Sequence, residues 1–118
     1  MQKLLAALLL LVTLNCYSQD YPNKPIRMLV PFAPGGAVDT TARVLAQAMQ
    51  QRVNWQFVIE NRPGGNGFIA TTAVAKAAPD GYTLLMAHTG EFAVNPALFA
   101  DVPYELERDF VEIGRAHV

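Results

Sequence analysis

The sequence predicts an α/β fold built on a parallel sheet, and three observations carry that prediction. Short apolar runs alternate with stretches of helical periodicity. Two Pro-Gly-Gly turns each follow an apolar run and precede a helical one. The apolar runs are nearly unbroken, as strands covered on both faces must be. A length of 118 residues allows one domain at most.

The first element stands outside that fold. Lys3 supplies a positive charge, and Leu4 to Val12 is an unbroken run of nine apolar residues. Such a run cannot span a bilayer, which takes about twenty helical residues. Thr13 to Ser18 follow and end on a small residue ahead of Gln19 and Asp20. This is the layout of a secretory signal peptide over residues 1–18, and it implies an exported protein. Pro22 and Pro25 argue against the alternative of a buried core helix. A lipid anchor at Cys16 is the other alternative, ranked lower because Asn15 is bulkier than lipoprotein processing usually tolerates.

Cleavage after Ser18 removes Lys3 and takes the net charge from −1 to −2. It also removes the only cysteine and the only serine, which excludes serine and cysteine hydrolase chemistry. One cysteine forms no internal disulfide in any case. Nine basic residues against ten acidic ones leave no positive excess for nucleic acid. High apolar content with low charge excludes a disordered chain.

Ile26 to Val30 reads as the first strand and ends in Pro31-Phe32-Ala33-Pro34-Gly35-Gly36, which forbids regular structure. A helical period begins at Ala37. Val38, Thr41, Ala42, Leu45, Ala48, Met49 and Val53 recur at intervals of three and four, predicting one packed face, and Asn54 closes the helix. Phe57 to Ile59 is the second strand, followed by a second turn from Asn61 to Gly67. Ile69, Ala70, Ala73, Val74 and Ala77 form a second stripe stopped by Pro79. Tyr82 to Ala87 is the third strand. Beyond it the sequence predicts a loop over His88 to Glu91, a short helical turn from Asn95 to Phe99, and an extended segment from Pro103 to Phe110.

This order implies right-handed βαβ units, so both glycine turns sit at the carboxyl edge of the sheet, where open α/β folds bind ligands. Glycine lets backbone N–H groups approach a ligand without Cβ interference. The first turn of each helix adds unpaired N–H donors and about half a positive charge. Two helix starts contributing up to about 2 kcal/mol each, with two hydrogen bonds of about 1.5–3 kcal/mol, approach the roughly 8 kcal/mol of micromolar binding before ordering costs. The plain alternative is that both are tight turns and nothing more. Asp39 likewise either stabilises its helix start or reads a donor on a ligand.

Several motifs carry a resemblance. Tyr21-Pro22-x-Lys24-Pro25-Ile26-Arg27, Val30-Pro31-Phe32-Ala33-Pro34-Gly35-Gly36-x-x-Asp39 and Glu60-Asn61-Arg62-Pro63-Gly64 occur in order. Ala78-Pro79-Asp80-Gly81-Tyr82-Thr83-Leu84-Leu85, Asn95-Pro96-Ala97-Leu98 and Asp109-Phe110 follow. Together they resemble the substrate-binding proteins of tripartite tricarboxylate transporters, the Bug family of periplasmic receptors. The resemblance implies a periplasmic binding protein-like fold of the two-lobed Venus-flytrap type (type 2), with this chain forming part of lobe 1 and the second lobe absent. It also implies a monomer that captures a small organic acid and delivers it to integral-membrane permease subunits, without cofactor, metal or nucleic acid.

Carried onto matching positions, the resemblance implicates Phe32, Ala33, Pro34, Gly35, Gly36 and Asp39 in the first loop as ligand-binding residues. It implicates Gly65, Asn66 and Gly67 in the second, and His88, Thr89 and Gly90 in the third. His88 departs from the small residues usual in the family. The match stops at Val111, and Glu112 to Val118 resemble a translated sequencing adapter. The expected organisation is therefore residues 1–18 as leader, 19–111 as a partial lobe of 93 residues and 112–118 as a non-native tail.

Three rival patterns weigh less. Gly65-x-Gly67-x-x-Ala70 imitates a dinucleotide fingerprint, but His88 and Thr89 stand where its acidic residue belongs. His88 and Glu91 lack a third metal ligand nearby. An exported hydrolase using Asp39 with His88 has no serine or cysteine nucleophile.

Overall fold

The computed structural model describes residues 20–114. The expected leader and residues 115–118 of the expected tail lie outside the described residues. No described helix is long and apolar enough to cross a membrane.

Strand β1 (Ile26–Val30) is the centre of a three-stranded sheet, flanked in parallel by β2 (Phe57–Asn61) and β3 (Thr83–Leu85). Ile26 registers with Phe57 and Val30 with Asn61 on one side, while Arg27 registers with Thr83 and Leu29 with Leu85 on the other. Four of the five β1 residues are buried, as a central strand requires. The exception is Arg27, which pairs at 2.7 Å with Glu60 on β2. The third strand is shorter than the sequence suggests, although Met86 N–H still donates to Leu29 O at 2.9 Å.

Helix α1 (Ala37–Val53) follows β1, and Asn54 ends it in the left-handed conformation, as expected. Its packed face differs from the expected one. Ala42 is buried against Met28 and Val30, with Val38 beside it, while Ala46, Ala48 and Met49 are half-buried. Thr41, Leu45 and Val53 are exposed. Intervals of three and four admit a wide arc, and only the part against the sheet is covered. Asp39, a carboxylate inside that packed arc, is invisible to a search for apolar periodicity.

Helix α2 (Phe68–Ala75) follows a 3-10 turn at Gly65–Gly67. It packs on β1 and β3 through buried Ala70 and Thr71, and leaves Ile69 exposed. It stops short of Ala77. Right-handed connections running first outward to β2 and then back across β1 put α1 and α2 on opposite faces. Leu29, of opposite parity to Met28 and Val30, is accordingly buried as well.

Two expectations beyond β3 are corrected. The loop expected at His88 to Glu91 instead turns helical: a π-helical segment (Gly90–Val94) runs directly into α3 (Asn95–Leu98). The segment expected to stay extended from Pro103 contains a short helix, α4 (Leu106–Asp109). Both depend on polar anchors. Glu91 and Asn95 are buried one helical turn apart, and Asp109 Oδ2 accepts Glu105 N–H at 2.8 Å. Buried Tyr104 meets Phe68, Phe92 and Phe110 edge-to-face, fastening this tail to α2.

The opposite edge of the sheet is closed by the N-terminal motif. Tyr21 donates to Gly81 O at 2.6 Å and meets Trp55 edge-on and Tyr82 at a tilt, while Lys24 lies 4.4 Å above the Tyr82 ring. Two of the motifs that carry the family resemblance therefore meet far from the glycine turns and serve the fold.

The rotated helix face gives a direct test. Ala42→Leu should lower unfolding free energy by about 1–3 kcal/mol through overpacking, whereas Leu45→Gln should stay within about 0.5 kcal/mol. Urea titrations followed by circular dichroism compare them, and a loss at Leu45 comparable to that at Ala42 would restore the face expected from periodicity.

Candidate functional site

Parallel pairing brings the loops after β1, β2 and β3 to one sheet edge. There they border a cleft of about 420 Å³. Of the residues implicated from sequence, Phe32, Asn66, Gly67, His88 and Gly90 line it together. Ala33, Pro34, Gly35, Gly36, Asp39, Gly65 and Thr89 lie outside its lining. Gly64, Glu91, Val94, Asn95, Leu98 and Phe99 complete the wall, which contains no lysine or arginine.

The first loop is held from behind by Asp39. This carboxylate is 2% exposed. Its Oδ2 accepts Gly35 N–H and Arg43 Nε–H, both at 2.9 Å, and its Oδ1 accepts Asn61 Nδ2–H at 2.9 Å. Asn61, the last residue of β2, also donates to Phe32 O at 3.0 Å. Two adjacent strand ends and the start of α1 thus share one polar knot. The Arg43 guanidinium, then the Gly35 amide and the Asn61 amide, hold the Asp39 carboxyl well below its ordinary range. With these donors occupying it, Asp39 positions the loop from behind the cleft.

No side chain caps α1 at Gly36, so its first-turn N–H groups are left for solvent or a ligand. The start of α2 differs. Gly67 adopts φ +87°, and a Cβ there would stand 2.6 Å from Glu91 Oε1. Glu91 is buried, and its Oε2 accepts His88 N–H at 2.8 Å. His88 Nδ1 accepts Gly90 N–H at 3.1 Å, and the ring meets Phe32 edge-on. Asn95 donates to Asn66 O at 2.8 Å, and the Tyr104 hydroxyl donates to Glu91 O. The third loop is thereby latched to the second.

Two sequence expectations change. Convergent helix starts were expected to form one cleft; instead α2 opens into it beside a resident carboxylate, and the Gly35-Gly36 start of α1 lies outside its lining. The Asp39–His88 pair of the hydrolase alternative does not form: Asp39 is engaged by Gly35, Arg43 and Asn61, and no hydrogen bond joins it to His88 among the described residues. Sequence reasoning missed Asn61, Arg43, Glu91, Asn95 and Tyr104 as organisers of the site. Asn61 and Asn95 sat inside recognised motifs, but nothing local marked what they would bind.

A parallel sheet with its loops gathered at the carboxyl edge is the ligand-binding arrangement of open α/β folds. Three solved structures share the fold of this chain. The periplasmic binding protein BugD is 45% identical with a TM-score of 0.67, over 72% of this chain and 28% of its own. An R. palustris protein solved with adipate is 36% identical with a TM-score of 0.69, over 73% and 29%. MatC from Rhodopseudomonas palustris, solved with malate, is 40% identical with a TM-score of 0.67, over 71% and 29%.

The chain belongs to the tripartite tricarboxylate transporter receptor family, whose profile matches residues 41–116. Protein BugT of Bordetella pertussis is 45% identical over 98 residues, 82% of this chain and 30% of BugT. This chain therefore spans under a third of the length of these relatives.

Two measurements probe the loop supports. Asp39 titrates lower in the fold than its ordinary 3.8, so its contribution to stability is complete above about pH 5 and is lost as pH falls further. The urea midpoint of Asp39→Asn should trail the wild type most at neutral pH, with the gap narrowing steadily as pH falls below the ordinary carboxylate range; a constant gap would exclude this linkage. Gly67→Ala should cost about 1–3 kcal/mol from backbone strain alone, with added crowding against Glu91, and a near-neutral result in the same assay would contradict the left-handed geometry.

Proposed function

We propose that this chain forms part of the first lobe of a periplasmic receptor that captures a small organic carboxylate. The receptor passes its cargo to the membrane permease subunits of a tripartite tricarboxylate-type transporter. The observation that carries the reading is a three-loop cleft at the carboxyl edge of a parallel sheet, with a wall free of basic residues and glycine-rich backbone at two of its loops. Chemistry of this kind binds an anion through main-chain N–H groups and the positive end of a helix. Adipate and malate in two family structures match that ligand class.

In this reading the ligand extends from the cleft past its lining to the uncapped first-turn N–H groups of α1, and its carboxylate lies between them and the turn at Gly65 and Asn66. Asp39 and Asn61 hold the loop before α1 through the Gly35 N–H and the Phe32 carbonyl, and Phe32 supplies an apolar wall. The leader expected at residues 1–18 supports export, and the segment 19–111 is read as a partial lobe. The family assignment supports a receptor rather than an enzyme.

A single lobe with one helix start and two charge-assisted hydrogen bonds should bind with a dissociation constant on the order of 1 mM. Nuclear magnetic resonance of the ¹⁵N-labelled chain, titrated with adipate, malate and uncharged 1,6-hexanediol, measures this directly. The acids should shift the amides of Gly35 to Val38 and of Gly65 to Gly67, and the diol should leave them in place. Equal shifts with the diol, or shifts at the Tyr21–Tyr82 edge, would refute the site.

A further inference from the structure

We propose that Glu91 is a specificity-determining residue of this cleft, selecting acids that carry a hydrogen-bond donor, a hydroxyl or an ammonium, next to the carboxylate. The inference rests on the carboxylate reading above and adds a second pole to it.

Glu91 is 1% exposed, yet it lines the cleft. It forms no ion pair with a lysine, arginine or histidine among the described residues. One donor reaches its carboxylate, the His88 N–H at Oε2. Its other oxygen, Oε1, lies against Gly67 and receives no hydrogen bond from the described residues. No side-chain oxygen or nitrogen among these residues is both fully buried and unpartnered. Oε1 is therefore not fully enclosed, and Glu91 belongs to the cleft lining.

An ionised carboxylate accepts up to about four hydrogen bonds, and one removed from water with a single donor is poorly compensated. A donor brought by the ligand supplies what the protein does not. Ordering the third loop needs Oε2 alone, so the loop latch does not account for the open oxygen. The same charge repels a ligand carboxylate from the start of α2, because no lysine or arginine lines the cleft to screen the two anions. The carboxylate is thus directed towards α1, whose first turn no side chain caps, and the donor group towards Glu91.

Succinate, malate and aspartate share a four-carbon diacid frame and differ only in the hydrogen, hydroxyl or ammonium at the second carbon. They are titrated separately into the ¹⁵N-labelled 118-residue chain at neutral pH, alongside the Glu91→Gln variant. Malate, aspartate or both should bind at least about tenfold more tightly than succinate, the ratio that a hydrogen bond to a charged acceptor supports. The stronger of the two tells hydroxyl from ammonium recognition. Glutamine keeps the size and an oxygen for His88 N–H but loses the charge, so that ratio should collapse in the variant while succinate binding holds or improves. Equal binding of all three acids by the wild type overturns this inference and leaves the carboxylate reading standing. A preference that survives in the folded variant assigns it to another residue and also overturns it. Absence of binding by all three acids removes both readings together.

Discussion

Because β1 pairs in parallel with both of its neighbours, the chain must leave all three strands at the same edge of the sheet. Every feature of the site follows from that constraint. Antiparallel pairing of either neighbour would send one glycine turn to the opposite edge. The connections can return only as crossovers on the faces, so the helices begin where the strands end. A cleft rimmed by helix starts and irregular backbone is the geometric consequence.

Such an edge is held open by polar contacts behind it. Asp39 receives donors from its own loop, its own helix and β2, and Asn61 reaches back to the Phe32 carbonyl. These bonds set the spacing of the first two loops without occupying the space between them. Glu91, Asn95 and Tyr104 do the same for the third. The exposed ion pairs of Glu60 with Arg27 and Arg62 contribute less, since solvent screens them. They lower the Glu60 carboxyl, Arg27 more than Arg62, and none of the three residues lines the cleft.

The two buried carboxylates at this edge have opposite roles because their surroundings differ. Asp39 faces a guanidinium and is neutralised inside the protein. Glu91 faces main-chain N–H, glycine and the cleft. A residue type alone therefore says little about whether a charge supports a loop or meets a ligand, and only the partners decide.

Much of the fold was legible in the chain itself. Apolar runs of strand length, glycine turns and a helix closed by Asn54 are set by contacts between residues close in sequence, and each appeared where expected, the third strand in shortened form. The ordered motifs led to the right family for the same reason: they are local words. What the tertiary structure decided involves residues distant along the chain. Which arc of α1 is covered depends on where β1 lies beneath it, so Leu45 stays exposed while Asp39 is buried. The turn to helix at Gly90 depends on Asn66 and Tyr104 meeting Asn95, contacts 29 and 9 residues away. The electrostatic character of the cleft depends on Glu91 folding back against Gly67, and no period or spacing encodes that approach.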